Sequence, residues 1–527
     1  MRIHRNHAIL EEMVPGWIAR KDLRGLAIFA VALVFLWWLA GDVFKFFKDE
    51  GIVLEGGRRI AQGEQPYRDF FVLTGPLSFW IAGALAKLGG SLRIMRLTMI
   101  LDAAFLVWAV YWIASRFAGR NFSAAIALAY LAYQARVPML YVTHRWDSAA
   151  LATAAMAAGL AAHRKNSRAL WAASGFLAAA AAWATPPVLL AGVPLAVWVW
   201  CGNRRNMPAF LAGGALITAA ATIYLQSCHA LGPMIRSMLW AQTHYAGANR
   251  MTYGQLLFMF TPSLSPATSS VPFTWWLSGG GMLLLPAVTP IAAVAGWGLY
   301  QWRSRNRADT SEILALLGGV AALVFSTWPR WTADELFYSA ALSTGLCAAL
   351  LYRLVPARVR PGICAALLFA AGVAAAKKVD AALDLYPFQS RAGTVCGTGE
   401  DQEFLQALGR HIQPGESLFA FPYLAPMYYL LNAHNPTRYS FMQPGMMTAD
   451  DESLAVAELS AAPPRWVIFQ DWPVQVVLTL WPGSNRAAIP MTAIKTYLRE
   501  NYRDVETVNS TYGRFVIRER MDGPPRQ

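Results

Sequence analysis

Three carboxylates lie just beyond the first apolar run of the chain: Asp49, Glu50 and Asp69. The acidic pair opens a weakly amphipathic stretch, 50–62, in which Ile52, Val53, Leu54 and Ile60 mix with Glu55, Arg58 and Arg59. The third acid stands in Tyr67-Arg68-Asp69-Phe70-Phe71, ahead of Thr74-Gly75-Pro76 and a second apolar segment. A loop bounded by two apolar segments is held against the membrane face, where a carboxylate could take a proton from a substrate whose tail lies in the bilayer. Ordinary roles compete with this reading. Acids favour helix N-termini, which would explain Asp49 and Glu50, and Asp69 has Arg68 beside it as a local partner.

Cations and further acids recur on the same side of the apolar runs. Arg93 and Arg96 head the next run, His144-Arg145-Trp146-Asp147 precedes a later one, and Trp328-Pro329-Arg330-Trp331 is followed by Asp334-Glu335. Guanidinium groups suit phosphate oxygens. Arg96 is therefore expected to bind a phosphate rather than merely snorkel, with Arg145 and Arg330 as further candidates. Tyr67, Arg68, His144 and Asp147 are expected to contact the substrate. Together these groups suit an anionic, lipid-linked substrate.

The elements that must position these residues follow from composition. Of 527 residues, 56% are hydrophobic and 14% charged, well below the roughly 25% charged of soluble domains, and mean hydropathy is +0.34. The net charge of +14 comes from basic residues in short loops between apolar runs, so it reads as an orientation signal and not as a nucleic-acid surface. Cys201, Cys228, Cys347, Cys364 and Cys396 are scattered, without metal or disulfide spacing. Hydropathy predicts eleven spans, near 24–41, 94–115, 122–141, 147–163, 169–184, 186–201, 208–227, 276–301, 311–328, 335–354 and 361–378. With the N-terminus (Arg2, Arg5, Arg20, Lys21, Arg24) inside, the later inner loops carry Arg116/Arg120, Arg164/Lys165/Arg168, Arg204/Arg205, Arg303/Arg305/Arg307 and Arg353/Arg358/Arg360. Lys377 and Lys378 fall outside and run against the rule. The first run reads as an uncleaved anchor.

The apolar segment 76–90 is short for a span, and counting it would move every basic loop outside; it is expected to lie on the outer membrane face. The first exterior loop is then 42–93, within a membrane domain covering 1–378. Residues 379–527 are expected to form an exterior α/β domain, with strand-like runs at 417–421, 465–469 and 514–517 and helices near 400–412, 451–461 and 491–501. No GxGxxG, P-loop or nucleophile elbow occurs there, so it reads as a cap or acceptor-recognition module.

Asp49-Glu50, Gly63, Pro66 to Phe71, Gly75-Pro76-Leu77 and Arg96-Leu97 resemble the polytopic GT-C glycosyltransferases, most nearly the dolichyl-phosphate-mannose protein mannosyltransferase and lipid A aminoarabinose transferase group. The similarity covers the N-terminal third and extends weakly to Phe421-Pro422-Tyr423 and Asn435-Pro436-Thr437-Arg438-Tyr439. It implies that Asp49 and Glu50 are the acids needed for transfer, with Asp69 as a second loop acid, Arg96 as the contact to the lipid phosphate and Asp147 as the acid opening a later span. Thr74-Gly75-Pro76 lacks the basic residue that the family places in this turn. The implied activity is inverting transfer of a sugar from a polyprenyl-phosphate donor to a hydroxyl on a lipid, glycan or protein, at the outer face of a bacterial inner membrane. No cofactor is required; a divalent metal near Asp49, Glu50 or Asp147 has no ligand-spacing signature. A transporter or flippase of lipid-linked saccharides is the alternative. It would favour ionisable residues at mid-membrane depth and internal repeats; only Asp102 lies clearly inside a span, and no repeat is evident.

Overall fold

The computed structural model describes residues 23–46, 48–136, 139–253, 285–303 and 309–521. Arg2, Arg5, Arg20, Lys21, Arg305, Arg307, residues 276–284 of one expected span and the Asp334 side chain lie outside the described residues. A helix coincides with the described part of every expected span. These are α1 (Leu23–Ala40), α4 (Leu97–Ala114), α5 (Arg120–Arg136), α6 (His144–Lys165), α7 (Arg168–Ala184), α8 (Gly192–Gly202, entered through a 3-10 turn from Pro186), α9 (Met207–Ser227), α11 (Leu285–Arg303), α12 (Thr310–Ser326), α13 (Ala333–Leu354) and α14 (Arg360–Leu383). Five are long and apolar enough to cross a membrane: Leu23–Ala40, Leu97–Ala114, Arg204–Ser227, Glu335–Leu354 and Arg360–Leu383.

Contacts gather the basic loops at one end of this bundle. Arg164 forms a bidentate pair with Glu312 (2.9 and 2.6 Å), Arg353 reaches Asp309 at 2.6 Å, and Arg24 donates to Asn121 at 2.6 Å. Asp49, His144, Arg145 and Glu335 meet at the other end.

Helices α2 (Lys48–Ala61) and α3 (Leu77–Lys87) lie in the first long loop, ahead of a single helical turn at Leu92–Met95. They pack through small residues. A Cβ on Gly57 would stand 2.6 Å from the Ala82 Cβ, and one on Gly51 would fall 2.1 Å from the Pro426 nitrogen. Helix α2 is thus wedged between α3 and the C-terminal region, where α10 (Leu231–Trp240) also contributes: Trp240 packs edge-on against Phe71 at 5.2 Å.

Helix α14 continues through 378 to Leu383, and strands follow at once: β1 (Tyr386–Ser390) and β2 (Gly393–Gly397) form a hairpin. Then come α15 (Gly399–His411), β3 (Leu418–Phe421), α16 (Pro426–Leu430), α17 (Ala449–Ala461), β4 (Trp466–Phe469), α18 (Val474–Leu480), α19 (Thr492–Asn501), β5 (Tyr502–Ser510) and β6 (Gly513–Arg520). The four-stranded sheet runs β3-β4-β6-β5, parallel at β3/β4 and antiparallel elsewhere. Strands β3 and β4 are buried throughout, which is why LFAF and WVIF read as continuous apolar runs. Thr398-to-Asp401 and Thr448-to-Asp451 capping boxes start α15 and α17. The loop after α1 is stitched to this layer: Phe44 N–H donates to the Cys396 carbonyl at 2.7 Å, and the Phe46 ring meets Phe404 and Phe515 edge-on at 5.7 and 5.8 Å.

Candidate active site

Helix α2 begins at Lys48, so Asp49 and Glu50 occupy adjacent positions of its first turn. Successive residues on a helix point about 100° apart, and here that rotation separates two fates. Asp49 is exposed and lines a cavity of about 180 Å³, with Tyr141, His144, Arg145 and Thr185 on one side and Tyr245, Glu335, Tyr423 and Gln443 on others. The Tyr423 hydroxyl donates to Asp49 Oδ1 at 2.7 Å.

Glu50 is 2% exposed and Arg96 0%. Arg96 donates through Nε and Nη2 to the two Glu50 carboxylate oxygens at 2.8 and 2.7 Å, and through Nη1 to the carbonyls of Ala40 and Val43 at 2.9 and 2.6 Å. Val142 N–H completes the set with a 3.0 Å bond to Glu50 Oε1. Four of the five guanidinium N–H groups are thereby directed at protein oxygens. Arg96, expected as a phosphate ligand, and Glu50, expected as a catalytic acid, are thus paired with each other, and neither lines the cavity.

The remaining loop residues also turn away. Arg68 forms a fork onto Asp69 at 2.8 and 2.7 Å, and Asp69 accepts from Gln65 N–H at 2.7 Å. The Arg68 hydrogen bonds hold the Asp69 carboxyl below the usual carboxylate range. Tyr67 is 2% exposed and its hydroxyl donates to the Thr74 carbonyl. Asp147 accepts from the Ser78 hydroxyl. Tyr67, Arg68, Asp69 and Asp147, expected at the site, are absent from the cavity lining.

His144 and Arg145 do reach the cavity. His144 Nδ1 lies 2.7 Å from Thr185 Oγ1, and Arg145 is paired with Glu335. Arg330 follows the lining residue Pro329. The Tyr245 phenol, pushed up by burial, feels Arg145, Glu335, Arg330 and Asp49 together, and Tyr423, pushed up by burial and by Asp49, also feels Arg330. Two arginines and two carboxylates thus lie within electrostatic reach of the half-buried Tyr245 phenol. Lys48, beside Asp49 in sequence, donates to Gln470 Oε1 at 2.9 Å and sits 3.6 Å over the Trp472 ring, and burial brings its pKa down to about 7.

Sequence reasoning missed Tyr245, Thr185 and Gln443 as cavity-lining residues, and it weighed Tyr423 only as part of the family resemblance. Short polar residues dispersed in separate loops carry no spacing signal. The carboxylates named for a metal, Asp49, Glu50 and Asp147, hydrogen-bond Tyr423, Arg96 and Ser78 respectively. Among the described residues no group of three His, Cys, Asp or Glu side chains could hold a metal ion.

No protein-family model matches the sequence, and no curated protein matches it. Solved structures do. The chain is similar to ArnT from Cupriavidus metallidurans bound to undecaprenyl phosphate, with a TM-score of 0.54 at 13% identity over 97% of this chain and 99% of that one. It is also similar to the oligosaccharyltransferase AglB from Archaeoglobus fulgidus in complex with an inhibitory peptide and a dolichol-phosphate, with a TM-score of 0.50 at 12% identity over 95% of this chain and 75% of that one. The fold is that of these GT-C glycosyltransferases, as the first-loop residues led one to expect.

Proposed function

We propose that this chain is a membrane glycosyltransferase that moves a sugar from a polyprenyl-phosphate donor to a hydroxyl acceptor, with inversion. The observation that carries the reading is the division of labour between adjacent acids: Glu50 is sealed by Arg96, while Asp49 alone opens into the cavity. In the proposed step the acceptor oxygen attacks the anomeric carbon, the bond from that carbon to the phosphate oxygen breaks, and polyprenyl phosphate leaves. Asp49 takes the acceptor's proton through Oδ2, since Oδ1 holds the Tyr423 hydroxyl. Arg145 and Arg330 offset the charge growing on the leaving phosphate. A phosphate leaves as a stable anion, so no catalytic acid is needed.

The likeness to ArnT with undecaprenyl phosphate and AglB with dolichol-phosphate supports a lipid-linked donor. The proposed setting is a bacterial inner membrane with eleven spans, an inner N-terminus, a membrane domain over 1–378 and an exterior domain over 379–527. Clustering of the basic loops opposite the cavity supports that orientation.

The test is transfer from undecaprenyl-phosphate sugars by reconstituted protein. General-base help contributes about 10²–10⁴-fold, so Asp49→Asn is expected to lose activity on that scale with folding intact. Wild-type turnover in a folded Asp49→Asn sample would refute the base assignment. Lipid movement without sugar transfer by the wild type would instead support a flippase.

A further inference from the structure

Gln443 lines the cavity and is 2% exposed, and its carboxamide nitrogen, itself buried, has no hydrogen-bond partner. The backbone around it is firmly placed. Its carbonyl accepts from Met446 and Met447 N–H at 3.2 and 3.3 Å, and Met442 N–H donates to the Pro422 carbonyl at 2.7 Å. Phe441 packs edge-on against Tyr423 with ring centroids 5.2 Å apart. Segment 441–443 therefore lies beside the segment whose Tyr423 hydroxyl holds Asp49. A buried N–H₂ without a partner is costly, so native proteins seldom keep one unless something arrives to accept from it.

We propose that Gln443 binds a hydroxyl of the sugar carried on the lipid phosphate, and so selects the transferred group. The inference rests on the donor reading above and deepens it. Neutral carboxamides suit neutral hydroxyls, which accept as well as donate; the charged phosphate has Arg145 and Arg330, which bear on Tyr245. A polyhydroxylated ring meets both demands of this wall, offering acceptors to Gln443 and donors to carboxylates. The C-terminal domain then does more than cover the site: it reads the sugar, while the helices of the bundle hold the lipid phosphate.

The test compares wild type with Gln443→Met, which keeps length and removes the amide. Detergent-solubilised full-length protein is titrated with undecaprenyl phosphate and with undecaprenyl phosphate bearing a hexose, a pentose, an N-acetylhexosamine or an aminopentose, by competition against a labelled polyprenyl phosphate. Wild type is expected to bind at least one loaded lipid more tightly than the bare lipid. Gln443→Met should weaken binding of that loaded lipid about 3- to 10-fold, the scale of one neutral hydrogen bond, with bare-lipid affinity within about 2-fold. Its melting temperature without lipid should equal or exceed that of wild type, because the lost group had no partner to leave behind; a merely structural glutamine would melt lower. Unchanged preference in the variant, equal loss for loaded and bare lipids, or no preference in the wild type would each overturn the proposal. A wild type that binds no polyprenyl phosphate at all would overturn the donor reading itself, and this proposal with it.

Discussion

Removing one member of the Glu50–Arg96 pair separates a structural arginine from a substrate-binding one. The side chains are 3% and 0% exposed, the fork is bidentate at 2.8 and 2.7 Å, and three backbone groups complete it. Breaking such a pair from one side leaves an uncompensated buried charge, which costs about 3–5 kcal/mol. Replacing both partners by uncharged groups removes the charges together and is often close to neutral. Arg96→Met and Glu50→Gln are therefore each expected to lower stability by about 3–5 kcal/mol. The double variant should regain most of that loss, short of wild type by about 1–3 kcal/mol for the Ala40 and Val43 carbonyls left without their donor. The assay is thermal and denaturant unfolding of all four proteins in one detergent, read as a double-mutant cycle, with undecaprenyl-phosphate affinity measured on each folded sample. Folded Arg96→Met should keep its lipid affinity. An Arg96→Met protein that melts like wild type and loses tenfold or more in lipid affinity would refute this reasoning and return Arg96 to the phosphate.

Three further outcomes follow from the same geometry. Tyr423→Phe removes the 2.7 Å bond to Asp49; a hydrogen bond to a charged group is worth about 1.5–3 kcal/mol, and turnover is expected to fall by about 10-fold or more with little change in donor KM, checked by steady-state transfer kinetics. The folded Lys48 pKa of about 7 lies below the ordinary 10.5, so the unfolded chain binds more protons between those values and wild-type stability rises with pH across that window. Lys48→Met should therefore gain most over wild type near pH 6, and the gain should shrink toward pH 10 in paired melting curves. Gly51→Ala places a methyl 2.1 Å from the Pro426 nitrogen, and it is expected to displace α2 from the C-terminal region and lower both melting temperature and transfer rate; unchanged melting would contradict that packing.

The local pattern carried the reading a long way. Each described span helix was visible as an apolar run with basic residues at one end. Strands β3, β4 and β6 and helices α15, α17 and α19 were visible as β-rich runs or capped helical stretches. The β1/β2 hairpin, β5 and α18 were not: YPFQS contains a proline and little alternation, and YRDVETVNS has an exposed, polar edge-strand face that resembles a loop. The acid pair at the head of α2 was legible as a candidate because two carboxylates in a membrane-face loop are chemically conspicuous.

By itself the sequence determined that this is an apolar, multi-helix chain with an α/β segment at its end and a reactive-looking loop after its first helix. Hydropathy, charge placement and capping act over a few residues, so they survive without knowledge of the fold. Only the tertiary structure decided which neighbour faces the cavity. Glu50 meets Arg96 from 46 residues away and Asp49 meets Tyr423 from 374 residues away, and the same long-range packing brought Gln443 to the wall. A helix sets adjacent residues about 100° apart, but what covers each direction depends on which distant element packs there, and no local pattern records that.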